Sequence, residues 1–514
     1  MMPARSSACL HCCAAHRCGT ADLCFDRRSF IAGAGLALAG LSGLHAVGAA
    51  PEVRHIDPIR LPLRIQPVLV YELFTRKEAT SWRPWGGVQT QQDVESERER
   101  IRRELSDLEA ASEFPLEILP LVSVQNPEEA GRVARGNYDA LVMYAAGGSV
   151  STLEALVNPD KWTLVFLRHR SGPVYLWYEI VSNRFLRKTV DDFGQPGVTT
   201  RDVVVDRPEE LLWRFRSLFG LRNTLGKRVV CVGGAAGWGR GGEAAPRLTR
   251  ENFGMELIEV SYDDLSRRLQ QRQADQALVS HCNDQAQHYL RETGVRLETA
   301  ENFVSRAFLL TEVFHDLLAE YQTDAITINA CMGTIMQVSG TTACLPLSLL
   351  NDSGYMAFCE SDFVVIPSGI LLHYLSGKPV FLNDPTYAHD GIVTLAHCTA
   401  PRRMDGQELA PVRVMTHFES DWGAAPKVEM KLGQQITVVD PDFKFERWMG
   451  FLGEIVANPF LDICRSQIDV EFTCDTERLN AETRGFHWMA AYGDYLKEAG
   501  YALEKIGIDW LRLT

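Results

Sequence analysis

The sequence lacks two features that would point to simple classes of protein. No internal repeat stands out, and no polybasic face appears, because the Lys and Arg residues are scattered along the chain. The 514 residues carry 52 Lys and Arg against 66 Asp and Glu, a formal net charge of −14. An acidic protein gains nothing from a phosphate backbone, so we expect no nucleic-acid partner.

Paired cysteine motifs are also missing from most of the chain. Eight of the 13 cysteines show no C-x-x-C pair and predict singly buried thiols, although an oxidising compartment leaves some pairing open. The other five lie before residue 27. With His11 and His16 they could bind a metal, but we favour a discarded leader or a start site assigned too early. The eight are Cys231, Cys282, Cys331, Cys344, Cys359, Cys398, Cys464 and Cys474.

A long, strongly apolar segment is absent as well. Arg27 and Arg28 precede a weakly hydrophobic run, residues 32–50, which is rich in Gly and Ala and is followed by Pro51. This pattern predicts a Tat export signal over residues 1–50, cleaved near 46–50, and hence a periplasmic or other extracytoplasmic location. The alternative is a membrane anchor, but the Gly and Ala content makes a poor one. We therefore expect no stable membrane span after cleavage.

The length predicts two or three domains. Strand and helix patterns alternate through residues 51–225 and again through 226–349, which favours open parallel sheets. After about residue 400 short β runs such as PVRVMTHF, KVEMKL and QQITVVD predict an antiparallel domain. The predicted fold is α/β: two Rossmann-like parallel-sheet domains, then residues 350–514 with a metal-site segment and a β-barrel-like C-terminal domain.

A glycine-rich motif follows the first strand of the second domain. Residues 237–242 match G-x-G-x-x-G literally. Pro246 and the absence of a helix beginning within the motif argue against NAD binding. We predict a loop at the carboxyl end of a strand, which can still line a ligand cleft.

Two acids flank the most informative part of the chain. Glu360 and Asp384 lie at the ends of an apolar helical pattern, a Ser-Gly-Lys-Pro stop and a short strand. Burying an ionised acid beside a hydrophobic hairpin costs free energy, unless the acid faces a cation or takes part in proton transfer. This arrangement predicts a metal-assisted acid/base site.

Three histidines add candidate ligands. His397 ends a predicted strand, His417 lies in the run PVRVMTHF as a ligand or as a barrel residue that faces substrate, and His487 precedes the terminal helix. Each histidine alone is weak evidence for a metal site, because a lone His on an apolar strand is more often a core residue. Acids and imidazoles that converge would suit an octahedral divalent cation.

Several short motifs in this order resemble the L-fucose isomerase and L-arabinose isomerase superfamily. The resemblance covers roughly residues 226–514 and is strongest over 350–398. Residues 51–225 offer only a compatible type of domain. The motifs are Leu350-Asn351-Asp352-Ser353-Gly354, Cys359-Glu360-Ser361-Asp362, Leu375-Ser376-Gly377-Lys378-Pro379, Asn383-Asp384 and the segment from Gly485-Phe486-His487-Trp488 to Tyr495.

The resemblance implies a homo-oligomer with Mn²⁺ held by a glutamate, a second acid and a histidine. By motif these are Glu360, Asp384 and His487, while His397 resembles an extra ligand of the arabinose isomerase branch. The implied activity is aldose–ketose isomerisation of a sugar through an enediol, with Glu360 and Asp384 as both ligands and proton carriers. An exported sugar-binding protein without turnover is the alternative.

Overall fold

The computed structural model describes residues 57–176 and 181–514. The predicted export signal and its five cysteines lie outside the described residues. Within them, no helix is long and apolar enough to cross a membrane.

The first sheet is parallel, with the order β2-β1-β4-β5-β6 and β3 paired to β1. Its long helix α1 begins at a capping box formed by Thr90 and Asp93. The strands are β1 (Leu63–Val70), β2 (Leu116–Ile118), β3 (Val122–Val124), β4 (Ala140–Ala145), β5 (Trp162–Leu167) and β6 (Val203–Val205), and the helices are α1 (Gln91–Ala110), α2 (Pro127–Ala134), α3 (Val150–Leu156) and α4 (Glu209–Thr224).

The second sheet is also parallel, with the order β11-β10-β7-β8. Strands β7, β10 and β11 are almost entirely apolar, as expected when helices cover both faces, whereas the edge strand β8 carries two glutamates. The elements are β7 (Arg228–Val232), α5 (Ala245–Phe253), β8 (Glu256–Val260), α6 (Tyr262–Ala274), α7 (Gln276–Arg291), β9 (Val295–Glu298, outside this sheet), α8 (Glu301–Glu320), β10 (Ala325–Ile328), α9 (Thr334–Ser339), α10 (Cys344–Asp352), β11 (Met356–Cys359) and α11 (Ile366–Ser376).

The C-terminal region contains a closed antiparallel barrel. Its six strands pair in the order β16-β19-β12-β13-β18-β17, and β16 pairs with β17 to close it. The elements are β12 (Phe381–Pro385), β13 (Ile392–His397), β14 (Val412–Met415), β15 (Ala425–Val428), β16 (Gln435–Pro441), β17 (Arg447–Ala457), β18 (Ser466–Phe472), α12 (Thr476–Glu482), β19 (Trp488–Tyr492), α13 (Leu496–Glu504) and β20 (Asp509–Arg512), which adds to β17 in parallel.

The predicted fold class is therefore confirmed, with one correction. The runs PVRVMTHF and KVEMKL are not barrel strands, because β14 and β15 form a separate sheet with β9 of the preceding region. Only QQITVVD joins the barrel, as β16. Alternating short strands indicate local structure but do not reveal which strands pair.

Helix α11 holds the two parallel sheets and the barrel together. All eleven of its residues are buried, and it packs against α4, β11, β19 and α13. The helix ends at Ser376, with Gly377 in the left-handed conformation at φ 67°, as the Ser-Gly-Lys-Pro stop predicted. One continuous core includes Phe215 on α4, Leu371 on α11 and Met489 on β19.

We predict that Gly369→Ala destabilises the protein. A Cβ at Gly369 would lie 2.6 Å from Met489 Cε and 2.7 Å from Phe358 Cε1, inside the packed core. Overpacking of this kind costs about 1–3 kcal/mol. Denaturant unfolding measures the loss.

Gly131→Ala is the matched control. Gly131 lies within α2, where an added Cβ meets its nearest heavy atom, Arg135 Nη1, at 3.7 Å. Alanine there should leave the stability unchanged or raise it by up to about 1 kcal/mol. Equal stability of Gly369→Ala and the unchanged protein would contradict the packing described for α11.

Candidate metal centre

Glu360 lies on the tight turn that follows β11. Both Glu360 and Ser361 have positive φ angles, 64° and 49°, which non-glycine residues rarely adopt. The turn is tied to the loop after β7, because Ala236 N–H donates to Ser361 O at 3.2 Å and Phe363 N–H donates to Ala236 O at 3.0 Å. Glu360 is thereby fixed at the carboxyl end of a parallel strand, where α/β sheets bind ligands.

The register of the barrel brings Asp384 and His487 face to face. On β12 and β19 Asn383 pairs with Trp488, so the next positions outward are Asp384 and His487. Asp384 also pairs with Ala396 on β13, one residue before His397. Three barrel segments therefore deliver three side chains to the same place.

The distances between these side chains suit a shared cation. His487 Nε2 lies 3.1 Å from Asp384 Oδ1 and 3.4 Å from Glu360 Oε2. His397 Nε2 lies 3.8 Å from Glu360 Oε1. Two atoms that are each about 2.1 Å from a metal ion are about 3.0 Å apart across a right angle. The four side chains thus have the spacing of metal ligands.

The second ring nitrogen of each imidazole, Nδ1, has a polar contact of its own. His487 Nδ1 lies 2.7 Å from Asp362 Oδ2, and His397 Nδ1 lies 3.0 Å from Thr399 Oγ1. These contacts leave each Nε2 facing the acids. Metal-binding histidines are held in this way, with the distal N–H given to a carboxylate or another acceptor.

Three buried atoms at the centre make no hydrogen bond to any described residue. They are Asp384 Oδ1, His397 Nε2 and His487 Nε2. Buried polar atoms without partners are rare and need an explanation. A divalent cation would satisfy all three, and the mixture of carboxylate and imidazole donors fits one. Glu360, His397 and His487 form a group that could hold a metal ion, and Asp384 Oδ1 lies 3.1 Å from His487 Nε2 beside it.

The acids create a field that favours positive charge here. Burial alone would lower the pKa of His397, but its contact with Glu360 and the charge of Asp384 raise that pKa to about 10. Burial would also lower the pKa of His487, but contacts with Asp362, Asp384 and Glu360 outweigh burial and raise that pKa. Burial would raise the pKa of Glu360, yet His397 and His487 hold it well below the usual range.

The site is open on the side of the acids. The side chains of Glu360 and Asp384 are 20% and 32% exposed, whereas both imidazoles are buried. Trp238 and Phe486 stack beside them with ring centroids 4.1 Å apart, and each also contacts the His487 ring edge-on. A small molecule can reach the acids alongside an exposed aromatic surface.

The glycine-rich loop helps to build this site. The backbone N–H of Trp238 donates to Asp362 Oδ1 at 3.1 Å, and the backbones of Gly237 and Gly242 approach too closely for a Cβ. A Cβ at Gly241 would collide with the ring of Phe443. Close packing therefore accounts for these three glycines, and the loop lines the site as the sequence predicted.

The structure brings together all four residues that the sequence nominated as ligands: Glu360, Asp384, His397 and His487. His417, considered as a further ligand, lies instead beside buried cysteines. Sequence reasoning missed Asp362, although it belongs to the quoted motif. No spacing rule pointed to it, because its contact with His487 spans 125 positions.

Comparisons with known proteins add no assignment. No family model matches this chain, and no curated protein matches it. One solved structure that it is similar to is the crystal structure of a conserved domain protein from Vibrio cholerae O1 biovar eltor str. N16961, at 15% identity over 58% of this chain and 89% of that one, with a TM-score of 0.15. That likeness is too low to support any conclusion.

Replacing Asp362 should weaken metal binding without removing a ligand. Asp362→Asn replaces the carboxylate that holds His487 Nδ1, so we expect a 10- to 100-fold loss of Mn²⁺ affinity, about the usual effect of losing such a partner. Titration of the metal-free protein with Mn²⁺ measures it. Asp390→Asn, an exposed position, is the control. Unchanged affinity in Asp362→Asn would contradict the role of this carboxylate.

A second buried acid fixes the turn that leads to His487. Asp440, at the end of β16, accepts hydrogen bonds from the backbone N–H groups of Arg484 and Gly485, each at 2.8 Å. Its side chain is 1% exposed. Burial outweighs these hydrogen bonds and raises the pKa of Asp440 to about 7.

This acid should make stability depend on pH. Because the folded-state pKa of Asp440 is raised, the folded protein keeps this proton up to about pH 7, whereas the unfolded chain loses it near pH 4. The contribution of Asp440 to stability therefore falls as the pH rises from 4 to 7, by about 4 kcal/mol at most.

The test compares thermal unfolding of the unchanged protein and Asp440→Asn at pH 5 and pH 8. The amide cannot ionise, so the unchanged protein should lose more stability than the variant between these two values. Parallel losses in the two proteins would contradict the raised pKa.

Proposed function

We propose that this protein is a metal-dependent aldose–ketose isomerase that acts on a sugar of the L-fucose or L-arabinose type. The observation that carries the proposal is the convergence of two imidazoles, each in contact at Nδ1 and facing the acids with Nε2, with two partly exposed carboxylates. Simple sugar binding needs no such group of ligands. The order of motifs that resembles the isomerase superfamily supports the same reaction.

Glu360, Asp384, His397 and His487 would hold the cation, which we propose is Mn²⁺. When bound, such a cation polarises the sugar carbonyl and stabilises the negative charge that develops on its oxygens. Asp362 and Thr399 orient the two imidazoles through Nδ1, so that Nε2 of each ring faces the acids.

Conversion of an aldose into a ketose moves one proton from C2 to C1 of the sugar and a second from O2 to O1, through an enediol. One carboxylate removes the C2 proton and another group delivers a proton to C1, so the reaction calls for proton carriers on the open side of the site. Glu360 and Asp384 meet this requirement, because both are partly exposed. We assign the two proton transfers to Glu360 and Asp384 as a pair, without deciding which of them removes the first proton.

Trp238 and Phe486 would contribute to substrate binding. Their rings are 41% and 40% exposed beside His487 and form a continuous apolar surface. Ligand sites typically combine such aromatic walls with a few precisely placed polar groups. The C–H face of a sugar would pack on these rings while its hydroxyls reach the acids. Assembly as a homo-oligomer and export by the Tat route remain predictions of the sequence.

The direct test is turnover. The purified full chain, loaded with Mn²⁺, is incubated with a panel of aldoses that includes L-fucose and L-arabinose, and ketose formation is followed. We expect conversion of at least one aldose, and a loss of at least about 100-fold in Glu360→Gln, because an acid/base group is removed. Glu471→Gln, at an exposed barrel position, should keep full activity.

The outcomes separate the two candidate functions. A protein that binds sugar without metal and without conversion would contradict the isomerase and favour the sugar-binding alternative. Equal activity of Glu360→Gln and Glu471→Gln would contradict the assignment of Glu360.

A further inference from the structure

Four cysteines that are far apart in the sequence lie in two pairs near the candidate metal centre. Cys344 Sγ lies 3.4 Å from Cys398 Sγ. The sulphurs of Cys331 and Cys359 lie within 4.8 Å of each other and of a carboxylate oxygen of Glu360. All eight cysteines of the described residues are free, as the sequence predicted, but these four are paired in space rather than single. No C-x-x-C motif predicts these pairs, because their members come from four separate segments of the chain.

His417 completes a set of donors at the pair formed by Cys344 and Cys398. One of its ring nitrogens and the sulphurs of Cys344 and Cys398 all lie within 4.8 Å of one another, and all three side chains are buried. The ring of His417 is positioned by Ser420, whose Oγ lies 3.3 Å from Nδ1. A contact of this kind orients the ring of a ligating histidine.

The two sulphurs are closer than a metal-bridged pair and farther apart than a disulfide. Cys344 Sγ and Cys398 Sγ are 3.4 Å apart, a thiol–thiol hydrogen-bond distance, whereas a disulfide requires about 2.05 Å. Two thiolates on a tetrahedral zinc ion, each about 2.3 Å from the metal, lie about 3.8 Å apart. The observed separation is close to the metal-bridged value.

We propose that Cys344, Cys398 and His417 form a second metal site, which takes Zn²⁺. Two thiolates and an imidazole are a common zinc donor set, and thiolates select zinc over manganese. Zinc sites with three protein ligands take a water molecule as the fourth. This proposal does not depend on the isomerase activity.

The second site would hold residues of the first site in position, because the two sites contain neighbouring residues of the chain. Cys398 directly follows His397. A zinc ion bound to Cys398 and Cys344 would tie the end of β13 to the start of α10. Its role would therefore be structural, in holding the segment that carries a ligand of the candidate metal centre.

Cobalt and zinc binding test the site. The full chain, purified in reducing buffer and stripped of metal, is loaded with Zn²⁺ and desalted, and bound zinc is counted by mass spectrometry. Loading with Co²⁺ instead should give thiolate-to-cobalt charge-transfer absorption. We expect Cys344→Ser, Cys398→Ser and His417→Gln each to lose one equivalent of tightly bound zinc and the corresponding absorption.

Cys282→Ser is the matched control. Cys282 is also buried, but it lies on α7 and packs in a different core cluster. This variant should keep the zinc of the unchanged protein, and all variants share the same N-terminal cysteines. Circular dichroism checks the folding of each variant. If Cys398→Ser does not fold, the Cys344→Ser and His417→Gln variants still test the zinc site, because both residues lie outside the first site.

Two results would overturn the proposal. One is zinc content and cobalt absorption that are unchanged in all three ligand variants. The other is a Cys344–Cys398 disulfide in protein purified without reductant, found by mass spectrometry of its unreduced peptides. Glu360→Gln should keep the zinc while losing Mn²⁺, so loss of the isomerase activity alone is distinguishable from failure of the zinc site.

Discussion

The contact between Asp362 and His487 is the interaction on which the site depends. One carboxylate oxygen holds His487 Nδ1, and the other accepts backbone N–H groups of Trp238 and Val364. A single buried acid thereby joins the glycine-rich loop, the turn that carries Glu360, and the barrel strand that begins after His487. Because that carboxylate occupies Nδ1, only Nε2 remains to face the other acids.

The fold explains why these groups can stay buried together. Glu360 is held by a turn at the carboxyl end of a parallel sheet, while Asp384, His397 and His487 come from adjacent barrel strands whose register is fixed by the ladder. Three acids and two imidazoles in one cavity are expensive without compensation. The acids raise the pKa values of both histidines, so this group of side chains favours positive charge. A divalent cation supplies positive charge while the imidazoles become neutral ligands.

The sequence predicted the sheets and the α11 segment well, because their signals are local. Apolar strands, the apolar helix and the stop at Gly377 can each be recognised within a few residues. The pairing of β14 with β9 could not be predicted, since it joins segments more than a hundred positions apart. The same limit applies to the partner of Asp362 and to the thiol beside Cys398. The placement of Glu360 and Asp384 around a buried hairpin predicted a metal-assisted site, and the resemblance to a family then selected His487 and His397 as its further ligands.

The central claim is that the four side chains share one divalent cation. A crystal structure of the protein soaked in Mn²⁺, with anomalous data collected at the manganese edge, tests this claim most directly. The account predicts an anomalous peak in contact with Glu360, Asp384, His397 and His487, with Asp362 still bonded to His487 Nδ1. The absence of a peak there, with His487 paired to the acids as an imidazolium, would contradict it.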